Sequence, residues 1–168
     1  MTPEQAKFLF DTLMPTAMAE AKTTRRVVAA MPEDQLDYRP SEKCMTAREL
    51  AKHLLTARVF FLNGIATGEF SGDAAKTEAS TAADLVAWFD QAHAAVVEKL
   101  NQRTPEQLAQ DLTFYTWTNP AVMYLNFCLL HESHHRGQLA AYLRPMGGKV
   151  PSIYGGSADE PMQAPAKA

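Results

Sequence analysis

Cysteine is scarce in this chain. The two present, Cys44 and Cys128, cannot build a disulfide framework, and their use suits a reducing compartment. Basic runs are missing as well. With 16 Lys and Arg against 19 Asp and Glu, the net charge is -3, and no Lys/Arg stripe offers a surface for nucleic acid. The opening residues MTPEQAKFLFDTLMP lack the basic start and apolar run of a signal peptide. No apolar stretch is long enough to span a bilayer, so no membrane partner is expected. Together these absences predict a cytoplasmic protein.

What remains is an ordinary globular composition, 46% apolar and 21% charged. A chain of 168 residues is the size of one domain and can bury a core without staples. Histidine is distributed unevenly: three of the five lie in the run His131-Glu132-Ser133-His134-His135-Arg136-Gly137-Gln138. This run sits in a helical pattern from Ala121 to Leu143. Positions four apart share a helix face, so His131 and His135 can hold one ion between them. Two imidazoles are half of a metal site.

Helix starts are legible elsewhere. Thr2-Pro3-Glu4-Gln5, Thr46-Ala47-Arg48-Glu49 and Thr104-Pro105-Glu106-Gln107 read as capping boxes, and Thr81-Ala82-Ala83-Asp84 as a weaker one. Asn119-Pro120 is expected to cap the histidine helix in the same style. The first helix carries Phe10, Leu13, Ala17, Ala21, Thr24 and Val28 on one stripe, with a kink expected at Pro15. The second, about Thr46 to Ala66, buries Leu50, Leu54, Ala57, Phe60 and Phe61. Gly64, Gly68 and Gly72 are expected to mark a loop. The third helix runs from about Thr81 to Leu100, with Leu85, Trp88, Phe89, Ala92, Val96 and Leu100 inward. A second long connection holds a helical turn and an extended TFYTWT. Four amphipathic helices with long connections predict an all-α four-helix bundle over residues 1–160, followed by a flexible tail at 161–168.

His53 supplies the third imidazole, because it lies on the buried stripe of the second helix. His134 points about a hundred degrees away from His135 and reads as a surface residue or one that orients a ligand. His93 flanks the third helix's core face and is expected at a rim. Cys128, one turn before His131, is a small buried hydrophobe or a thiolate ligand, with the first favoured. Gln138 is a candidate hydrogen-bond partner for a ligand ring. Tyr115, Trp117 and Tyr124 are candidate pocket walls. Arg136 reads as a solvent-facing salt bridge or, less simply, an anion contact. Glu132, about sixty degrees from His135, is the one carboxylate in the run positioned as a general base.

The segments LAKHLL around His53, HESHHRGQLAAYLR, VPSIYGGSADE and LDYRP together resemble the DinB/YfiT-like superfamily, from the first helix to Glu160. The resemblance implies an up-down-down-up bundle, a homodimer, and one divalent metal, nickel or zinc, on His53, His131 and His135. Some proteins of this kind are thiol-dependent transferases or isomerases that use bacillithiol, mycothiol or glutathione. The extra domain of the mycothiol-dependent isomerase type is missing, so that reaction is not implied.

Three neutral imidazoles leave coordination positions open, as catalytic sites do. The expected activity is therefore that of a metal-dependent S-transferase, joining a low-molecular-weight thiol to an electrophilic small molecule. A metal-dependent hydrolase using water, or a non-catalytic stress-related metal binder, is the alternative. Because the ligands must be unprotonated, metal occupancy is expected to fall below about pH 6.

Overall fold

A computed structural model describes residues 1–162 of the chain. Helix α1 spans Pro3–Ala29, α2 Ala47–Thr67, α3 Ala82–Leu100, the short α4 Pro105–Ala109, and α5 Met123–Leu143. The capping boxes form at α1, α2 and α4: Thr2, Thr46 and Thr104 each accept from a backbone N–H three residues on, and the Gln or Glu there reaches back. At α3, Thr81 caps Asp84 alone, and the Glu33 carboxylate accepts from the Ala82 and Ala83 amides instead. Helix α1 is continuous across Pro15, which sits on its exposed side where water can satisfy the carbonyl left without a partner.

Two expectations about boundaries were wrong. Gly64 lies inside α2, and the helix ends at Gly68, whose φ of +89° suits a left-handed cap. Gly64 serves packing: a Cβ there would stand 2.3 Å from the Phe70 ring, so the missing side chain is what lets that ring close on the helix. Asn119-Pro120 does not cap α5. Both residues end a strand, and the helix begins three residues further on, at Met123, without a side-chain cap. The extended TFYTWT segment forms a hairpin of β1 (Asp111–Phe114) and β2 (Trp117–Pro120), which adds a two-stranded antiparallel sheet to the bundle.

The topology can be read from which residues share a core. One cluster joins Val27 and Val28 of α1, Leu50 to Val59 of α2, Leu85 and Phe89 of α3, and Leu139 and Leu143 of α5. The other joins Ala6 and Phe10, Phe61 to Ile65, Val96 and Leu100, and Tyr124 to Leu129. Thus the end of α1 meets the starts of α2 and α3 and the end of α5. Helices α1 and α5 run one way, α2 and α3 the other. The bundle is up-down-down-up.

Polar groups cross this core. Arg58 on α2 pairs with Glu132 on α5, each side chain 1% exposed, and donates to the Ala17 carbonyl at 2.6 Å. Glu132 also accepts from the Thr24 hydroxyl at 2.6 Å. Burial pushes the Glu132 carboxyl up, while Arg58 and then Thr24 pull it back. Arg136 does not face solvent, which corrects the sequence expectation. It is buried against Glu20 at 2.5 Å and donates to the hydroxyl of Tyr154, which itself donates to Glu20 at 2.9 Å. The segment after α5 is thereby tied to α1, further secured by Glu160 on Arg26 and Asp159 on Arg144. From residue 163 on, the expected flexible tail lies outside the described residues.

His93 is not at a rim but in the core, 8% exposed and stacked on Phe89, with Nε2 unpartnered. Burial, and next the Arg58 charge, lower its pKa to about 4. An unfolded chain takes up this proton near pH 6.5 and the fold resists until about 4, so stability is present above pH 6.5 and lost as pH falls to 4. Urea unfolding should register a loss of about 2–3 kcal/mol from this group between pH 7 and 4.5. His93→Phe should flatten the slope by that amount; an unchanged slope would rule out the assignment.

Candidate metal centre

His53 projects from α2 and His131 and His135 from α5, where the two helices pack antiparallel. The one-turn spacing on α5 brings its two rings edge to face with centroids 4.4 Å apart, and His53 meets them at 5.1 and 4.6 Å. One ring nitrogen of each lies within 4.8 Å of the other two. His53 Nε2 and His135 Nε2 are 3.2 Å apart. Two nitrogens bound to one zinc ion at about 2.0–2.1 Å stand roughly 3 Å from each other, so the donor set fits such an ion. All three residues are half-buried. Burial, then the other histidines, lower the pKa of His131 to about 4, and burial and His135 lower that of His53. Both rings are neutral at pH 7, the form that coordinates.

Gln138 Oε1 lies 2.8 Å from His135 Nδ1. An amide oxygen only accepts, so Nδ1 carries the proton and Nε2 turns its lone pair toward His53. Partners of this kind orient ligand rings, and removing one costs metal affinity roughly 10–100-fold. Gln138→Leu should weaken metal binding by that order in a competition titration with a chromogenic chelator. No change would mean that packing alone orients the ring.

The other candidates lie apart from the cluster. His134 is exposed, its ring 4.9 Å from that of His135. Cys128 is fully buried, its sulfur 4.0 Å from the Arg58 carbonyl, and burial drives the thiol pKa up to about 12, so it is no thiolate ligand at neutral pH. Glu132 points into the core toward Arg58 and is not a base for this site. Arg136 is likewise on the core side. Tyr124 does not wall a pocket: its hydroxyl reaches the carbonyls of Trp117 and Leu112 at 2.6 and 3.0 Å and clamps the hairpin. Trp117 is half-exposed against Phe127.

An open cleft of about 460 Å³ lies over the cluster, with His53 and His131 in its wall. Phe60, Phe61, Phe114, Phe127 and Tyr115 are among the residues that line the rest, with Thr56 and Ala57. Helical spacing was the unused signal here. Thr56, Ala57, Phe60 and Phe61 follow His53 by three, four, seven and eight residues, and Phe127 precedes His131 by four. Tyr115, at the hairpin tip, adopts φ 54° and is 88% exposed at the cleft's mouth.

The DinB family profile matches residues 6–165. This chain belongs to the DinB family. It is 32% identical over 133 residues to YjoA, an uncharacterized protein of Bacillus subtilis, spanning 77% of this chain and 86% of that protein. YrdA, also uncharacterized and from Bacillus subtilis, is 27% identical over 143 residues, 84% of this chain and 85% of its own length. The crystal structure of the DinB-like YjoA has a TM-score of 0.72 at 29% identity, over 85% of this chain and 96% of that one. A DinB-like protein of Bacillus cereus has a TM-score of 0.74 at 21% identity, over 86% and 97%, and at that identity it speaks to the fold alone. DinB membership agrees with the bundle topology read from the two cores. Among the described residues, no helix is long and apolar enough to cross a membrane.

Proposed function

We propose that this DinB-family protein binds one divalent metal ion, nickel or zinc, through His53, His131 and His135, and uses it in an S-transferase reaction. The observation that carries this reading is the convergence of three imidazole nitrogens beside an open apolar cleft. Three protein ligands leave room for a further donor, which favours catalysis over a sealed structural site. A divalent ion held there supplies Lewis acidity that lowers the pKa of an approaching thiol. His135 is held in its coordinating tautomer by Gln138. Phe61 and Phe127 back His131 with rings at 6.0 and 6.2 Å, which limits water on that side. The thiol route is preferred to hydrolysis because none of the described residues lining the cleft is a carboxylate that could serve water as a base.

X-ray absorption at the metal edge, with and without a low-molecular-weight thiol, tests the reading. A sulfur neighbour is expected on adding thiol; nitrogen and oxygen neighbours only would overturn the transferase assignment.

The reading includes a cytoplasmic location and a homodimer. Met123 and Leu130 place apolar side chains on the outside of α5, with Leu130 64% exposed, and such a face can pair with its own copy. Light scattering at micromolar concentration should give twice the chain mass of 18.5 kDa. A monomer mass would remove the dimer.

A further inference from the structure

The cleft beside the histidines selects by charge as well as by shape. Four phenylalanines, Phe60, Phe61, Phe114 and Phe127, stand in its wall, and none of the described residues lining it carries a carboxylate, ammonium or guanidinium. Arg58 and Glu132, each one residue from a cleft or cluster residue in sequence, are turned into the core and neutralise each other there. The rings of the wall also pack on one another. Phe61 meets Phe127 and Phe114 edge to face at 5.0 and 5.1 Å, and Phe60 meets Phe114 at 5.7 Å. Rings packed in this way present faces and edges to a further ring. A carboxylate placed among them would lose its water and meet no donor on these rings, and an ammonium would recover only part of its hydration from their faces. A neutral aromatic group loses little hydration and gains buried area, and about 460 Å³ is ample for one or two fused rings.

We infer that the cleft takes an uncharged aromatic small molecule, held among Phe60, Phe114 and Phe127 with its reactive end toward His53 and His131. This names the substrate class for the proposed transferase and rests on that reading of the cleft. The charged groups of a thiol partner then stay on the open, solvent side.

Calorimetric titration of the full chain, dialysed against EDTA so that a carboxylate gains nothing from a bound ion, tests the selection. The probes are indole, indoleacetate and tryptamine, which share a ring system and differ in charge. Indole should bind at least tenfold more tightly than either charged analogue. Ala57→Trp, which fills the cleft from α2, should weaken indole at least tenfold, and Ala57→Leu does the same if the larger residue prevents folding. Equal or tighter binding of either charged probe would overturn the inference, as would indole binding that ignores both substitutions. Metal content is measured on the same preparations before dialysis. A chain that holds no metal yet binds indole through the cleft would refute the metal reading and leave this one standing.

Discussion

Alanine at His53, His131 or His135 is expected to abolish binding of divalent metal, while His134→Ala leaves it nearly intact. Each of the three rings contributes a nitrogen to a cluster within 4.8 Å, whereas His134 is exposed on another face of α5. Losing a ligand should cost more than the roughly 10–100-fold that loss of an orienting partner costs. Elemental analysis of purified variants gives the first answer. Thermal unfolding gives a second: metal at about a hundred times its Kd should stabilise the wild type by about 2.7 kcal/mol, or roughly 5–10 °C for a chain of this size. The three alanine variants should show no such shift and should still fold, because the core clusters do not depend on the ion. Acid should release the metal as protons compete for the rings. Retained metal should fall as the pH drops below about 6, where imidazole ligands begin to take up protons. Metal retained in His53→Ala, or lost equally in His134→Ala, would break the three-histidine assignment.

The largest effect on stability is expected at the ion pair of Arg58 and Glu132. Both side chains are 1% exposed, so removing either leaves the other charged and without water in the core. Arg58→Met or Glu132→Leu alone should destabilise by about 3–5 kcal/mol, the usual cost of an orphaned buried charge. The double variant should lose far less than the sum, because two apolar side chains of similar volume can pack where the pair stood. Arg58 also donates to the Ala17 carbonyl and Glu132 accepts from Thr24, so the double variant still loses two smaller contacts, although Ala17 keeps its helical partner and Thr24 still accepts from Arg136. Urea unfolding of the four proteins measures the coupling directly. Additive losses would mean that the two residues act through separate contacts.

Glu132 was misread from sequence as a base near the site, and Arg58 drew no reading at all, because periodicity marks apolar positions and is silent on buried charge. Arg58 follows Leu54 by four residues and so lies on the apolar stripe of α2, but an arginine there reads as the stripe's edge until a carboxylate is known to face it. Arg136 failed in the same way: its partners Glu20 and Tyr154 are more than a hundred residues away and 18 residues away, invisible to local patterning. The hairpin's role was hidden for a related reason. Tyr124 looked like a pocket wall because it is aromatic and near the histidines, yet its hydroxyl is spent on two hairpin carbonyls.

By itself the sequence determined the helices and the ligand candidates. Capping boxes and apolar stripes are local, acting over three to seven residues, and they marked α1, α2 and α3 to within a residue or two. The i, i+4 pair on α5 is equally local, and the stripe of α2 pointed His53 inward. Tertiary structure alone decided that His53 meets that pair, since the meeting depends on how α2 and α5 register across the bundle. It also decided which polar groups lie inside and what roofs the site. Those outcomes follow from contacts between residues 18 to 134 positions apart, where burial and charge pairing act through space and leave no periodic trace in the chain.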